Sequence, residues 1–161
     1  MDAADRSLLA ALQSNGRSAN VELARRCELA PSTTLERVRR LEERGVIRGY
    51  RAVLDPQALG YTVQALVLIN LARHQVGSID EFEDRVRAVR EVKTCFHVTG
   101  QYDYLLHLVV RDIDHLRDLV THTLASIRGV EKQETLLALS TPKVDEGYAI
   151  PTEPGEDPNR R

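Results

Sequence analysis

Residues 98 to 106, VTGQYDYLL, set a glycine, a carboxylate and two phenolic hydroxyls where two apolar segments turn back on each other. A turn alone would use Gly100 for a positive φ and Asp103 to brace nearby backbone, with both tyrosines packing. The same residue types offer a second chemistry. Exposed N–H groups in a glycine turn suit a carboxylate, and an acid suits an ammonium group. A free amino acid carries both charges on neighbouring atoms, so Gly100 beside Asp103 could clamp one from both ends. Residue type and spacing leave both readings open.

A second constellation lies at residues 31 to 44, PSTTLERVRRLEER. Leu35, Val38 and Leu41 recur every three residues and predict one buried helical stripe. The remaining circumference shows Thr33, Thr34, Glu36, Arg37, Arg39, Arg40 and Arg44. Hydroxyls at a helix N-terminus can approach base edges, and arginines can reach guanines or phosphates. Ser32, Thr33, Thr34, Arg37, Arg39 and Arg40, with Arg48 just beyond the helix, are the expected contacts to double-stranded DNA.

Other reactive residues do not assemble a site at recognisable spacing. Cys95 and His97 sit on one expected strand and His107 on the next, without the paired ligand spacing of a zinc site. His115 and His122 merely share a helix face. There is no phosphate-binding glycine loop, nucleophile elbow or dinucleotide fingerprint, and no nucleophile beside a base. No metal, cofactor or enzymatic activity is expected.

The elements that must position these residues fall into two groups. Helices are expected at about 3 to 13, with Leu8, Leu9 and Leu12 on one face, and at roughly 20 to 27, with Val21, Leu23, Ala24 and Cys27 inward. A third starts at Pro31 and ends at Gly45. VIRGYRAVLD then reads as two short β segments around Gly49. Three short helices and a β-ribbon describe a winged helix-turn-helix over residues 1 to 53. Residues 54 to 61 read as a linker.

From 62 to 141 the order is strand (62–73), helix (78–90), hairpin (92–99 and 103–110), helix (112–128) and strand (130–141). Ile79, Phe82, Val86 and Val89 are expected inward on the first helix, and Ile113, Leu116, Val120, Leu124 and Ile127 on the second. This β-α-β-β-α-β order is ferredoxin-like, so the fold class is α+β. Its strands are apolar on both faces, notably at Leu66 to Ile69 and Leu136 to Leu139. With both helices on one side, the other side needs a cover. A second copy of the same sheet is the simplest, and no stable folded monomer is expected. Residues 142 to 161 form a Pro- and Gly-rich tail whose end is expected to be disordered.

Charge divides the chain in the same way. Residues 1 to 54 hold ten arginines and seven acids, a net of +3, while the remainder nets −5 with all five histidines. The split points the first part towards a polyanion. No apolar run reaches a membrane span. Two distant cysteines and no signal-like N-terminus fit a reducing cytoplasm, with association to the nucleoid.

At LERVRRLEERGVIRGYRAVLDPQALG, with punctuation at Asn15-Gly16-Arg17, the chain resembles the Lrp/AsnC (leucine-responsive, feast/famine) transcription regulators of bacteria and archaea. The resemblance runs from Asp2 to about Pro142. It implies an amino-acid-sensing second domain and dimers that associate into tetramers or octamers. It further implies an effector turn of pattern G-x-x-D-[YF] lining a pocket between dimers for an amino acid or related small molecule, matched by Gly100, Asp103 and Tyr104, with Thr99, Gln101 and Tyr102 beside them. By the same likeness Glu134, Thr135 and Ser140 of the last strand are weaker candidates. Relatives commonly cap the second and third helices with serine, where this chain has Ala19 and Ala30, and Glu28 stands where a glycine is usual. Ser18 is a partial substitute for the first cap. An alternative keeps the DNA binding without effector response, as an architectural protein.

Overall fold

The computed structural model describes residues 1–72 and 78–151. The chain divides into two compact units, one formed by residues 1–53 together with the segment from Val144, the other by residues 54–143.

In the first unit, helix α1 (Ala3–Ser14) begins with a reciprocal cap. Asp2 accepts from the Asp5 amide at 2.8 Å, and Asp5 accepts from the Asp2 amide at 3.3 Å. Leu8, Ala11 and Leu12 of α1 pack against Leu23 of α2 (Asn20–Arg26), with Val38 and Ile47 alongside. Helix α3 (Pro31–Glu43) adds Leu41, which is fully buried. Ala19 and Ala30 occupy the N-cap positions of α2 and α3 and make no side-chain cap bond. The Ser18 hydroxyl is buried without a partner among the described residues, so it does not replace the missing cap. Glu28, between the two helices, holds φ at 54°, the left-handed conformation glycine adopts without strain.

Three expectations here are corrected. Val21 is 69% exposed and Leu35 is 61% exposed, while Thr34 takes the inward place at 0%. Repeats of three on a helix drift by about 60° each, so 35, 38 and 41 cannot all face one core. The two β segments around Gly49 form no ladder among the described residues. An extended segment needs a partner strand, and Val53 and Leu54 instead lie open to solvent.

The C-terminal segment joins this unit through Gln13. Its amide nitrogen donates to the Tyr148 carbonyl at 2.6 Å, and its amide oxygen accepts from the Tyr148 N–H at 2.9 Å. Gly147 turns there at φ 102°. The last residues of the expected tail lie outside the described residues.

The second unit is a four-stranded antiparallel sheet in the order β2-β3-β1-β4, from β1 (Val63–Leu71), β2 (Val92–His97), β3 (Tyr104–Val110) and β4 (Val130–Leu137). Arg73, at the end of the expected first strand, lies outside the described residues. Helix α4 (Ser78–Ala88) precedes β2. Helix α5 (Ile113–Asp118), capped by Asp112, continues as a π-helical turn, Leu119–Leu124, before β4. One sheet face carries Ala65, Val67, Ile69, Tyr104, Leu106 and Leu108, buried with Phe82, Val86, Leu116, Leu119 and Leu124. Ile79 and Ile113, expected inward, are 48% and 54% exposed. Both stand in the first turn of their helices, so the apolar stripe begins one turn later than its periodicity suggests.

Candidate DNA-binding and effector sites

Helix α3 presents Ser32, Thr33, Arg39 and Arg40 to solvent, and Arg48 is exposed beyond it. Its start is held by Asn20, whose amide donates to the Pro31 carbonyl at 2.8 Å. Thr34 is not on the exposed face. Its hydroxyl donates back to the Ala30 carbonyl at 3.1 Å, so it belongs to the core.

Arg37 is committed elsewhere. Its Nη1 lies 2.8 Å from Asp2 Oδ2 and 2.7 Å from Asp5 Oδ1, and Arg40 Nη2 lies 3.3 Å from the same Asp5 oxygen. The Asp5 amide and the Arg37 guanidinium hold the Asp2 carboxyl below its ordinary value. Burial raises the Asp5 carboxyl, but the Arg37 bond and the Asp2 amide outweigh it and the net shift is downward. Hydrogen bonds to Asp2 and then Asp5 raise Arg37 in turn. Local sequence does not mark the two acids that make this network as partners of Arg37. Their partners lie more than thirty residues on.

The 98–104 turn is tied to the end of β1. The Val98 N–H donates to the Asp103 carbonyl at 2.9 Å, and the Asp103 N–H to the Ile69 carbonyl at 3.0 Å. Asp103 Oδ2 accepts from the Leu71 N–H at 2.8 Å. Gly100 adopts φ 122° with open space around its Cα. Gly100, Gln101 and Asp103 line a cavity of about 430 Å3 with Asn70, Leu71, Ala72 and Glu131. The last four were not singled out in the sequence. They arrive through the β1–β4 register, which shifts between Asn70 and Leu71.

The other candidates disperse around this turn. The Tyr102 hydroxyl donates to Glu134, whose carboxylate raises the phenol above its usual value. Thr135 pairs with Val67 and so faces the helices, whereas Glu134 pairs with Leu68 on the opposite face. Thr99 and Ser140 are exposed.

Tyr104 is corrected from an effector contact to a core residue, 1% exposed. Its hydroxyl donates to Glu83 at 3.0 Å, and its ring stacks on His97 at 4.6 Å and 17°. Burial, then Glu83, pushes its phenol far up. It borders a different cavity, also about 430 Å3, with Glu83, Arg87, Lys93, Cys95 and His97. Cys95 pairs with Leu106 and His97 with Tyr104 on the helix side, while Thr94 pairs with His107 on the other. The three residues considered as metal ligands therefore do not converge, and the described residues hold no cluster suited to a metal.

The first unit carries a helix-turn-helix whose third helix exposes Arg39 and Arg40, and the second a ferredoxin-like sheet with a polar cavity at a glycine turn. Residues 1–48 match the family model for a winged helix-turn-helix DNA-binding domain, and residues 64–148 match that for the Lrp/AsnC ligand-binding domain. The chain is 38% identical over 152 residues to the leucine-responsive regulatory protein of Escherichia coli K12, covering 94% of this chain and 93% of that one. It is 38% identical over 143 residues to that of Haemophilus influenzae, covering 89% and 86%. A Neisseria meningitidis transcriptional regulator solved in complex with L-Met superposes with a TM-score of 0.85 at 35% identity, covering 89% of this chain and 93% of that chain. E. coli AsnC does so with a TM-score of 0.82 at 29% identity, covering 90% and 96%. This chain belongs to the Lrp/AsnC family, DNA-binding transcription regulators with an amino-acid ligand-binding domain.

Proposed function

We propose that the cavity at the 98–104 turn holds the α-amino and α-carboxyl groups of a free amino acid, and that this binding changes how the protein engages DNA. The observation that carries the reading is the cavity's lining, where the Asp103 and Glu131 carboxylates stand beside the glycine turn. Among the described residues, the Gly100, Gln101 and Tyr102 amides have no backbone acceptor. Carboxylates receive the ammonium group and free amides the carboxylate. The L-Met complex of the Neisseria regulator supports this class of ligand.

A second copy of the chain is the proposed partner of the open sheet face. Leu66 and Leu68 of β1 share that face with Leu105 and Val109 of β3, Phe96 of β2 and Leu136 of β4. Phe96 and Leu136 are 53% and 45% exposed. An isologous dimer covers this surface and supplies two recognition helices for a near-palindrome. The effector then acts as a coupling between sites, altering association and hence how many DNA half-sites are engaged together. The protein works on DNA in the cytoplasm; no helix among the described residues is long and apolar enough to cross a membrane.

A thermal-shift screen against the twenty amino acids tests the ligand. At a hundred times its dissociation constant, a ligand adds ~2.7 kcal/mol. Hits that vanish in Glu131→Gln support the cavity. Hits retained there move the site elsewhere, and no hit for any amino acid favours the architectural alternative. Phe96→Glu tests the dimer by sedimentation. Placing a carboxylate in an apolar interface should weaken association by roughly thirtyfold or more, and an unchanged assembly would remove the open face from the interface.

A further inference from the structure

We infer that Leu35 reads thymine, by packing its isobutyl side chain against the 5-methyl group in the major groove. The inference rests on α3 being the helix that enters the groove. Leu35 is 61% exposed, whereas the two other apolar branched residues of α3, Val38 and Leu41, face the core. It lies about 100° around the helix from buried Thr34, clear of the packing surface. Ser32 and Arg39, three residues before and four after, share its face and are also exposed.

Leu35 belongs to neither buried core cluster. Leu35 is the fifth residue of α3, in the N-terminal half that approaches base edges. Thymine is the base whose major-groove edge offers a methyl group, so an aliphatic side chain discriminates there without a hydrogen bond. Arg39 supplies a positive charge beside Leu35. Arg37 is turned away into the Asp2 and Asp5 carboxylates, and Arg40 reaches Asp5, which leaves Arg39 beside Leu35 as an exposed cation with no ion pair among the described residues. Leucine for the methyl and arginine for phosphate or guanine make a mixed reading surface.

The test uses the full-length protein and a duplex selected by it from a random pool. Each thymidine is replaced singly by deoxyuridine, which deletes only the methyl group. The wild type should lose roughly three- to tenfold in affinity at one or two positions. Leu35→Ala should bind the parent duplex more weakly and be indifferent to the same replacements, while Leu35→Met keeps the sensitivity. A wild type indifferent to every replacement overturns the inference, as does a Leu35→Ala variant with undiminished sensitivity. Arg39→Ala separates this failure from that of the helix itself: weakened binding by Arg39→Ala keeps α3 in the groove even where Leu35 reads nothing, and unchanged binding removes α3 from it.

Discussion

The recognition helix and the 98–104 turn each carry a charged residue that residue type marks as a ligand group, and the structure treats the two differently. Arg37 points into a two-carboxylate pocket formed by Asp2 and Asp5, only 23% of its side chain open. Its charge is met inside the unit. Asp103 uses one carboxylate oxygen to hold the Leu71 N–H and still borders the cavity with Gly100 and Gln101. A single amide takes up one hydrogen bond, and no ion pair to Asp103 is found among the described residues. The same kind of motif residue therefore serves the fold in one unit, and in the other serves the fold while bordering the cavity proposed for the ligand.

Substitutions at Asp103 give the largest expected effects and sharpen the contrast. Asp103→Asn keeps an oxygen for the Leu71 amide and removes the charge, so the variant should fold while losing the ~2.7 kcal/mol of ligand stabilisation expected at a hundred times the dissociation constant. Asp103→Ala removes both and should in addition lower the unliganded stability by ~1–3 kcal/mol. Equal unliganded melting of the two variants would show that the Leu71 bond contributes nothing.

Asp5→Ala tests the other side. It leaves the buried end of the Arg37 and Arg40 network short of an acceptor, and chemical denaturation should show a loss of ~1–3 kcal/mol. The pH dependence has a definite sign. The folded Asp5 carboxyl lies below its ordinary value, so its stabilisation is present above that value and lost as pH falls through the folded one. The difference between wild type and variant should hold at neutral pH and shrink only in acid. A difference that grows on acidification would contradict the ion pair.

Capping gives a smaller effect. Ala30 has the extended backbone of an N-cap, φ −69° and ψ 143°, and no side-chain acceptor. Ala30→Ser should raise stability by ~0.5–2 kcal/mol, read as a higher melting midpoint. The smallest effect separates two arginines on one helix. Arg39→Ala should flatten the salt dependence of DNA binding by about one ion. Arg37→Ala should leave the slope unchanged, and a matching loss would return Arg37 to the DNA.

What the sequence conveyed and what it hid follow from range. The β-α-β-β-α-β order was legible because long apolar runs such as Leu66 to Ile69 sit between helices with clear periodicity. The turn at Gly100 and the uncapped Ala19 and Ala30 were legible because they are local. The burial of Thr34 in place of Leu35 was not, because three residues at threefold spacing cannot fix the centre of a helical stripe. The ion pairs from Asp2 and Asp5 to Arg37 depend on how α1 crosses α3. Glu131 reaches the cavity only through a shifted strand register. The expected ribbon after α3 failed for a related reason, since a strand is defined by its partner and this segment finds none among the described residues.

The most direct test is the affinity of wild type and Asp103→Asn for one selected duplex, measured by fluorescence anisotropy with and without each amino acid that stabilises the wild type. Equal affinities are expected without ligand, with a ligand-dependent change in the wild type and none in the variant. A variant that responds as the wild type does would place the effector somewhere other than the Gly100–Asp103 turn.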